Sequence, residues 1–336
     1  MANMNRQIVL AARPEGMPKP SDFRLVETPV PKPTQGQFLV KTNYLSVDPY
    51  MRGRISEAKS YAEPVQIGQV MVGGTVGTVV ESQHPSYRPG EVVVGYWGWQ
   101  EHAVSDGQGI QRFDTSLAPM STALGVLGMP GMTAYFGLLD ICQPKEGETV
   151  VVSGAAGAVG SLVGQIARIT GCRVVGIAGG ADKCRYLTEE LGFDASIDYK
   201  GEDVREALKR HAPKGVDVYF DNVGGEILDI VLSLLARKAR ISICGAISQY
   251  NNLEGVQGPG NYLSLLVNSA RMEGFIVFNY AARYAEGVRA IAGWLAEGKI
   301  KAREDVVDGL ETFPETLLML FRGENLGKLV IRVAGE

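Results

Sequence analysis

Residues 149–160, Thr-Val-Val-Val-Ser-Gly-Ala-Ala-Gly-Ala-Val-Gly, run an apolar β-branched strand into a glycine turn and then into a helix expected to start near Ala158. A backbone that must come close to a pyrophosphate cannot carry Cβ atoms in the way, which suits Gly154 and Gly157. The first helical turn supplies N–H donors and the positive end of a dipole, and Gly160 lets the helix pack closely on the strand. Glycine turns also serve plain chain reversal, so the flanks matter. Here Leu162, Ile166 and Ile169 make an apolar helical face, Gly171 ends the helix, and a second strand follows at Arg173–Ala178. This is the βαβ layout of a dinucleotide site, with Gly154, Gly157, Ala158, Val159 and Gly160 at the phosphates.

The remaining chain divides by texture. The first ~125 residues offer short strand-like runs such as 37–45, 72–81 and 91–99, joined by Pro- and Gly-rich turns, and predict an all-β region. From about Pro130, strands alternate with helices. Strands are expected at 150–153, 173–178, 195–197, 216–220, 240–244 and 274–278, and helices at 181–191, 204–211, 227–236, 262–270 and 281–297. Repeated βα units of this kind imply a doubly wound parallel sheet. A final helix at 315–321 and a strand at 328–333 close the chain.

A length of 336 residues suits about two domains. The net charge of −4 leaves no electrostatic footprint for nucleic acid, and no dense Lys/Arg cluster suggests a membrane surface. No stretch approaches the ~18 apolar residues of a membrane span, and the amino terminus has no apolar signal core, so a cytoplasmic protein is expected. Cys142, Cys172, Cys184 and Cys244 are scattered and read as reduced packing residues. Trp97 and Trp99 alternate on one strand face and read as core.

Several separated motifs carry a resemblance. Asp48-Pro49-Tyr50-Met51-Arg52-Gly53-Arg54, Gly157-Ala158-Val159-Gly160-Ser161, Phe220-Asp221-Asn222-Val223-Gly224-Gly225, Cys244-Gly245-Ala246-Ile247-Ser248-Gln249-Tyr250 and Gly323-Glu324-Asn325-Leu326-Gly327-Lys328 follow in order. The chain resembles the medium-chain dehydrogenase/reductase superfamily and, within it, the zinc-independent NADPH-dependent double-bond reductases, which include prostaglandin, alkenal and curcumin reductases. The resemblance implies a GroES-like β domain over 1–127, completed by 302–336, and a Rossmann nucleotide-binding domain over 128–301. It also implies a homodimer and a small enal or enone substrate held where the nicotinamide emerges.

The choice of nicotinamide follows from the end of the second strand. NAD sites place a carboxylate there for the ribose 2′-OH, whereas this strand ends Gly176-Ile177-Ala178-Gly179-Gly180 with Lys183 just beyond. A 2′-phosphate can enter without like-charge repulsion, which favours NADPH. Asp182 is expected to cap the following helix. The resemblance assigns Lys183 and Tyr199 to the 2′-phosphate side, Asn222, Tyr250 and Asn325 to other cofactor contacts, and Cys244, Gly245, Ala246, Ile247 and Ser248, with Phe275, Ile276 and Val277, to the nicotinamide end. Taken alone, Lys183 is a solvated helix lysine and Asn222 a turn residue.

No metal site is expected. The chain has no Cys before Cys142, and His84, His102 and His211 are too dispersed to form a ligand set. The simplest remaining chemistry is hydride addition to an activated carbon–carbon double bond. That chemistry needs a hydrogen-bond donor for the enolate oxygen, and a neutral tyrosine can serve because its ordinary pKa is about 10. Tyr50, Tyr61 and Tyr250 are the candidates, while Arg52 and Arg54 either bind a carboxylate or support their loop. Two other functions fit the same motifs: an NADPH quinone reductase, and a non-catalytic dinucleotide-binding protein.

Overall fold

A computed structural model describes residues 4–58 and 60–335. The chain forms two compact units, one from Met1–Gly125 with Glu304–Glu336, the other from Val126–Arg303.

The first unit holds strands β1 (Met4–Leu10), β2 (Phe23–Pro29), β3 (Phe38–Ser46), β4 (Thr75–Ser82), β5 (Val92–Gly95), β6 (His102–Ser105) and β7 (Gln111–Arg112), and the later β14 (Glu304–Asp308) and β15 (Lys328–Arg332). Its main sheet runs β14-β15-β3-β4-β5-β7, with β6 also on β3, and β1 pairs with β2. The strand expected over 91–99 stops at Gly95, where a Cβ would lie 2.4 Å from the Trp97 ring. Trp99 is fully buried, stacked on Phe313 with centroids 3.5 Å apart and against Phe23 at 5.2 Å. Trp97 is only partly buried, and its Nε1–H donates to Thr42 Oγ1 at 2.9 Å. Helices α1 (Met51–Arg54) and α9 (Phe313–Arg322) complete this unit. Leu317 and Phe313 of α9 join Ile8, Leu45, Met51 and Trp99 in one core.

The second unit carries strands β8 (Thr149–Ser153), β9 (Arg173–Ala178), β10 (Ala195–Asp198), β11 (Val216–Asp221), β12 (Leu235–Ile243) and β13 (Arg271–Gly274). All pair in parallel in the order β10-β9-β8-β11-β12-β13. Between them lie α2 (Met129–Phe136), α3 (Gly160–Ile169), α4 (Ala181–Arg185), α5 (Val204–His211), α6 (Gly225–Leu232), α7 (Ser264–Val267) and α8 (Tyr284–Ala296). This is the doubly wound arrangement, α/β with a Rossmann order that reverses between β8 and β11.

Local differences from the sequence expectation have physical causes. The strand expected at 274–278 is instead β13, which pairs only with Arg240–Ile243; the ladder stops at Gly274 and the chain turns into a 3₁₀ segment at Val277–Arg283. The helix expected over 181–191 is α-helical to Arg185 and then widens, with the Leu191 N–H donating to the Tyr186 carbonyl. The helix expected over 262–270 shortens to α7.

Close packing inside this unit depends on glycine. A Cβ at Gly164 of α3 would stand 1.9 Å from the Phe193 ring, and one at Gly176 of β9 2.9 Å from it. Charge also ties the sheet together: Arg240 of β12 pairs with Glu148 at 2.5 and 3.0 Å and donates to the Cys142 and Gln143 carbonyls. Burial alone would raise the Glu148 carboxyl, but hydrogen bonds from Arg240 and the Lys145 N–H outweigh it and hold the group below its usual range.

Gly164→Ala is expected to destabilise the protein by about 1–3 kcal/mol in denaturant melts, because the ring beneath it cannot withdraw from a packed core. Glu148→Gln should cost about 2 kcal/mol at neutral pH. With the folded-state pKa depressed, the pair's stabilisation is complete above the unfolded value of about 4.3 and disappears as pH falls through the folded value, so the variant should lose less stability than the native protein between those pH values.

Candidate functional site

Ligands of doubly wound sheets sit at the carboxyl ends of the strands where the strand order reverses. Here β8, β11 and β12 are neighbours, and the turns after them hold most of the candidate cofactor residues. After Ser153 the chain enters Gly154 at φ +58°, and α3 begins at Gly160, so Ala158 and Val159 belong to the turn and not to the helix. A Cβ at Gly160 would lie 2.4 Å from the Gly154 carbonyl oxygen and 2.8 Å from Ala155 Cα, so the close approach at this glycine is to the turn. At Gly157 the only neighbour of a Cβ would be that same oxygen at 3.3 Å. The turn is therefore bare glycine backbone, crowded against the Gly154 carbonyl at Gly157 and Gly160, and a backbone without side chains is what close approach to a pyrophosphate needs.

Asp221, the last residue of β11, fastens the turns together. Its Oδ1 accepts from Ser153 Oγ at 2.9 Å, Tyr219 Oη at 2.8 Å, and the N–H groups of Val223 and Gly224 at 3.0 and 2.9 Å. Its backbone carbonyl accepts from the N–H groups of Cys244 and Gly245. Asn222 donates from its side chain to the Ser153 carbonyl at 2.7 Å and from its backbone to Ser153 Oγ at 3.0 Å. Burial pushes the Asp221 carboxyl above its ordinary range, against the pull of these donors. It also pushes the Cys244 thiol up to about 12, with the charge of Asp221 adding to the effect, so this thiol is inert at neutral pH.

The segment after β12 is held against this frame. The Ile247 N–H donates to the Asn222 carbonyl, and Ser248 Oγ donates to the Val223 carbonyl at 2.6 Å. Gly224, at φ +68°, faces Ala246 so closely that a Cβ would lie 2.9 Å from the alanine methyl. Tyr250 folds back over the segment: its Oη accepts from the Ala246 N–H at 3.2 Å, and a Cβ at Gly245 would sit 3.0 Å from that oxygen. Phe275 packs where a Cβ of Gly137 would be 2.4 Å away; Ile276 precedes the 3₁₀ turn, and Val277 is buried.

At the end of β9 the turn Gly179-Gly180 lies under Tyr199, whose ring stands 2.8 Å from where a Gly179 Cβ would be. Tyr199 is half exposed and Lys183 lies one helical turn into α4. Asp182 is not the cap: Gly180 occupies that position at φ +100°, and Asp182 pairs with Arg185. The carboxylate that does reach this turn is Asp198 of β10, which accepts from the Gly180 N–H at 2.7 Å and the Lys200 N–H at 3.0 Å. Only a sheet register could have revealed it.

The other group lies in the first unit. Tyr50 precedes α1 and packs against the core of Ile8, Leu45 and Met51. Burial, then the Asp48 carboxylate, raises its phenol well above the ordinary value, so it stays a neutral donor. Tyr61 and Tyr96, both exposed, stand within electrostatic reach of it; Tyr96 was missed because it fell inside an expected strand. Arg52 Nη2 donates to the Gly16 carbonyl and Arg54 Nε to the Glu63 carbonyl at 2.8 Å, so both arginines have a role in supporting loops. The Asp48 turn is anchored from the tail: β15 pairs antiparallel with β3, which brings buried Lys328 Nζ to 3.0 Å from Asp48 Oδ1 and 2.9 Å from the Val47 carbonyl. Ser46 Oγ donates to Asp48 Oδ2. Asn325, also buried, donates to the Gly327 carbonyl at 3.0 Å and shapes the turn into β15.

Among the described residues, no group of three or more His, Cys, Asp or Glu side chains could hold a metal ion, and the four cysteines are free thiols. No helix among them is long and apolar enough to cross a membrane.

This fold and these turns define a dehydrogenase/reductase of the medium-chain type, and the chain belongs to that family. Residues 6–113 match the N-terminal domain of oxidoreductase and residues 158–293 the zinc-binding dehydrogenase domain. The chain is 52% identical to an NADPH-dependent curcumin reductase of Escherichia coli, covering 99% of this chain and 98% of the other. It is 43% identical to an NADP(+)-dependent 2-alkenal reductase of Nicotiana tabacum, with 99% and 98% covered. The solved structure of CurA in complex with NADPH from Vibrio vulnificus superposes with a TM-score of 0.94 at 50% identity, covering 98% of this chain and 100% of that one.

Removing Lys328 leaves a buried carboxylate without its counter-charge. Lys328→Met should therefore lower unfolding free energy by about 3 kcal/mol, and adding Asp48→Asn should restore more than half of the loss, both measured by denaturant melts.

Proposed function

We propose that the protein reduces the carbon–carbon double bond of α,β-unsaturated ketones and aldehydes with NADPH and without zinc. The observation that carries this reading is the bare glycine turn after β8, joined through Asp221 to the turns after β11 and β12, in a chain that matches NADPH-linked reductases along its whole length. Gly154, Gly157, Ala158, Val159 and Gly160 would hold the pyrophosphate. Lys183 and Tyr199 would take the 2′-phosphate, with the Asp198 carboxylate oxygen Oδ1 already engaged by backbone N–H groups. Asn222, Cys244–Ser248, Tyr250, Phe275–Val277 and Asn325 complete the proposed contacts. When bound, NADPH supplies the hydride.

The chain's own residues meet the charge that reduction places on the carbonyl oxygen. Tyr50 is the leading donor because burial keeps its hydroxyl protonated well above the ordinary phenol range. Tyr250 is the second, its oxygen oriented by the Ala246 N–H. Tyr61, exposed on the loop that Arg54 secures, completes the set. A cytoplasmic location belongs to the same reading.

A homodimer is also proposed. β13 ends the strand order of its sheet, and near it α7 exposes Leu266 and Val267 at 77% and 74%. Such apolar exposure suits a second copy of the chain. Leu266→Lys with Val267→Lys should shift the mass measured by light scattering from dimer to monomer.

NADPH consumption over a panel of enals, enones and quinones, with product analysis, tests the reaction. Saturated carbonyl products are expected. Tyr50→Phe should lower kcat/KM for an enone by about 10²-fold, the size of one lost oxyanion donor. No limb attributable to Tyr50 should appear in the pH profile up to pH 10, because its phenol titrates above that. Lys183→Glu should raise KM for NADPH by at least tenfold while leaving that for NADH little changed.

A further inference from the structure

Asp221 lies outside every cofactor contact assigned above, yet it is 1% exposed and carries one oxygen with four donors and another, Oδ2, with no partner among the described residues. A carboxylate is costly to bury, and among the described residues this one pairs with no cation; its compensation there is the convergent donors on Oδ1. Those donors come from separate places. Ser153 precedes the glycine cradle, and Val223 and Gly224 form the turn that carries Asn222. The carbonyl of the same residue holds Cys244 and Gly245, where the segment leading to Tyr250 begins. Tyr219 is the exception: it donates from within β11 and belongs to no turn.

We infer that Asp221 is the positioning residue of the cofactor site: through Oδ1 it sets the spacing of the turns after β8 and β11, and the turn after β11 in its place supports the segment after β12 through the Asn222 and Val223 carbonyls, so that cofactor affinity depends on a carboxylate that never touches the cofactor. The inference rests on the reading of these turns as an NADPH cradle. What matters is an acceptor at Oδ1 and not the negative charge as such, because Oδ2 has no partner to lose. An asparagine can keep the acceptor and place its amide nitrogen at the Oδ2 position. Ser153 is the arm that reaches the cradle, since its Oγ donates to Asp221 and accepts from the Asn222 N–H.

The test combines fluorescence titration with NADPH and amide hydrogen exchange of the cofactor-free protein, in Asp221→Asn, Asp221→Ala, Ser153→Ala and Tyr219→Phe. Asp221→Asn should bind NADPH within about threefold of the native protein. Asp221→Ala should lose at least tenfold and exchange faster in the 154–160 and 222–225 segments, with 244–250 following through the bonds of Ile247 and Ser248 to the Asn222 and Val223 carbonyls. Ser153→Ala should lose affinity and loosen the first two segments, whereas Tyr219→Phe should lower the melting temperature without moving Kd. Where Asp221→Ala does not fold, the contrast between Ser153→Ala and Tyr219→Phe decides, because a purely structural role would not separate them. Equal Kd values for Ser153→Ala, Tyr219→Phe and the native protein, or an Asp221→Asn as damaging as Asp221→Ala, would overturn the inference. A native protein that gives no NADPH titration would sink the cofactor reading instead, and exchange in the three segments would still judge Asp221.

Discussion

A single carboxylate oxygen inside the parallel sheet, Oδ1 of Asp221, collects a serine hydroxyl, a tyrosine hydroxyl and two backbone N–H groups. A doubly wound sheet brings three strand ends side by side, but strands alone do not fix the loops beyond them. Each loop leaves its strand with backbone donors to satisfy, and a buried loop donor without an acceptor costs about 1–3 kcal/mol. One carboxylate settles several of these at once. The geometry of the glycine turn after β8 and of the turn carrying Asn222 therefore has a common origin, and the backbone carbonyl of the same residue holds the start of the segment carrying Tyr250.

The first unit solves a similar problem with a different device. Its catalytic candidate, Tyr50, immediately precedes a short helix of four residues, too short to hold its own direction. The anchor comes from the tail, where the register of β15 on β3 delivers Lys328 to Asp48, two residues from the tyrosine. Arg52 and Arg54 then tie the helix to loops on either side. The same carboxylate that orders the turn also helps keep the Tyr50 phenol protonated.

Much of this was legible in the chain itself. The segment from Thr149 to Ala178 was readable because its signals are local: a β-branched strand, glycines at defined offsets and an amphipathic helix. The strand at Arg173–Ala178 and the helix at Val204–His211 fall where their patterns put them. Non-local pairing was the part that stayed hidden. The end of β13 depends on where its neighbour's ladder stops, and Lys328 and Asp48 meet across 280 positions. Asp198 and Asp221 carry no local signal, and the sheet order is what shows which turns they face. Asp182, the acid that local rules favoured as a helix cap, instead pairs with Arg185 because a glycine at positive φ already starts the helix.

The proposed reaction, saturation of a carbon–carbon double bond with tyrosines meeting the charge on the carbonyl oxygen, differs from carbonyl reduction in where the hydride goes. The most direct test is the fate of the label when the protein reduces an acyclic enone with NADPH deuterated at the transferring position of the nicotinamide. A saturated ketone with deuterium on the β-carbon is expected. Deuterium on the carbonyl carbon of an allylic alcohol would contradict it.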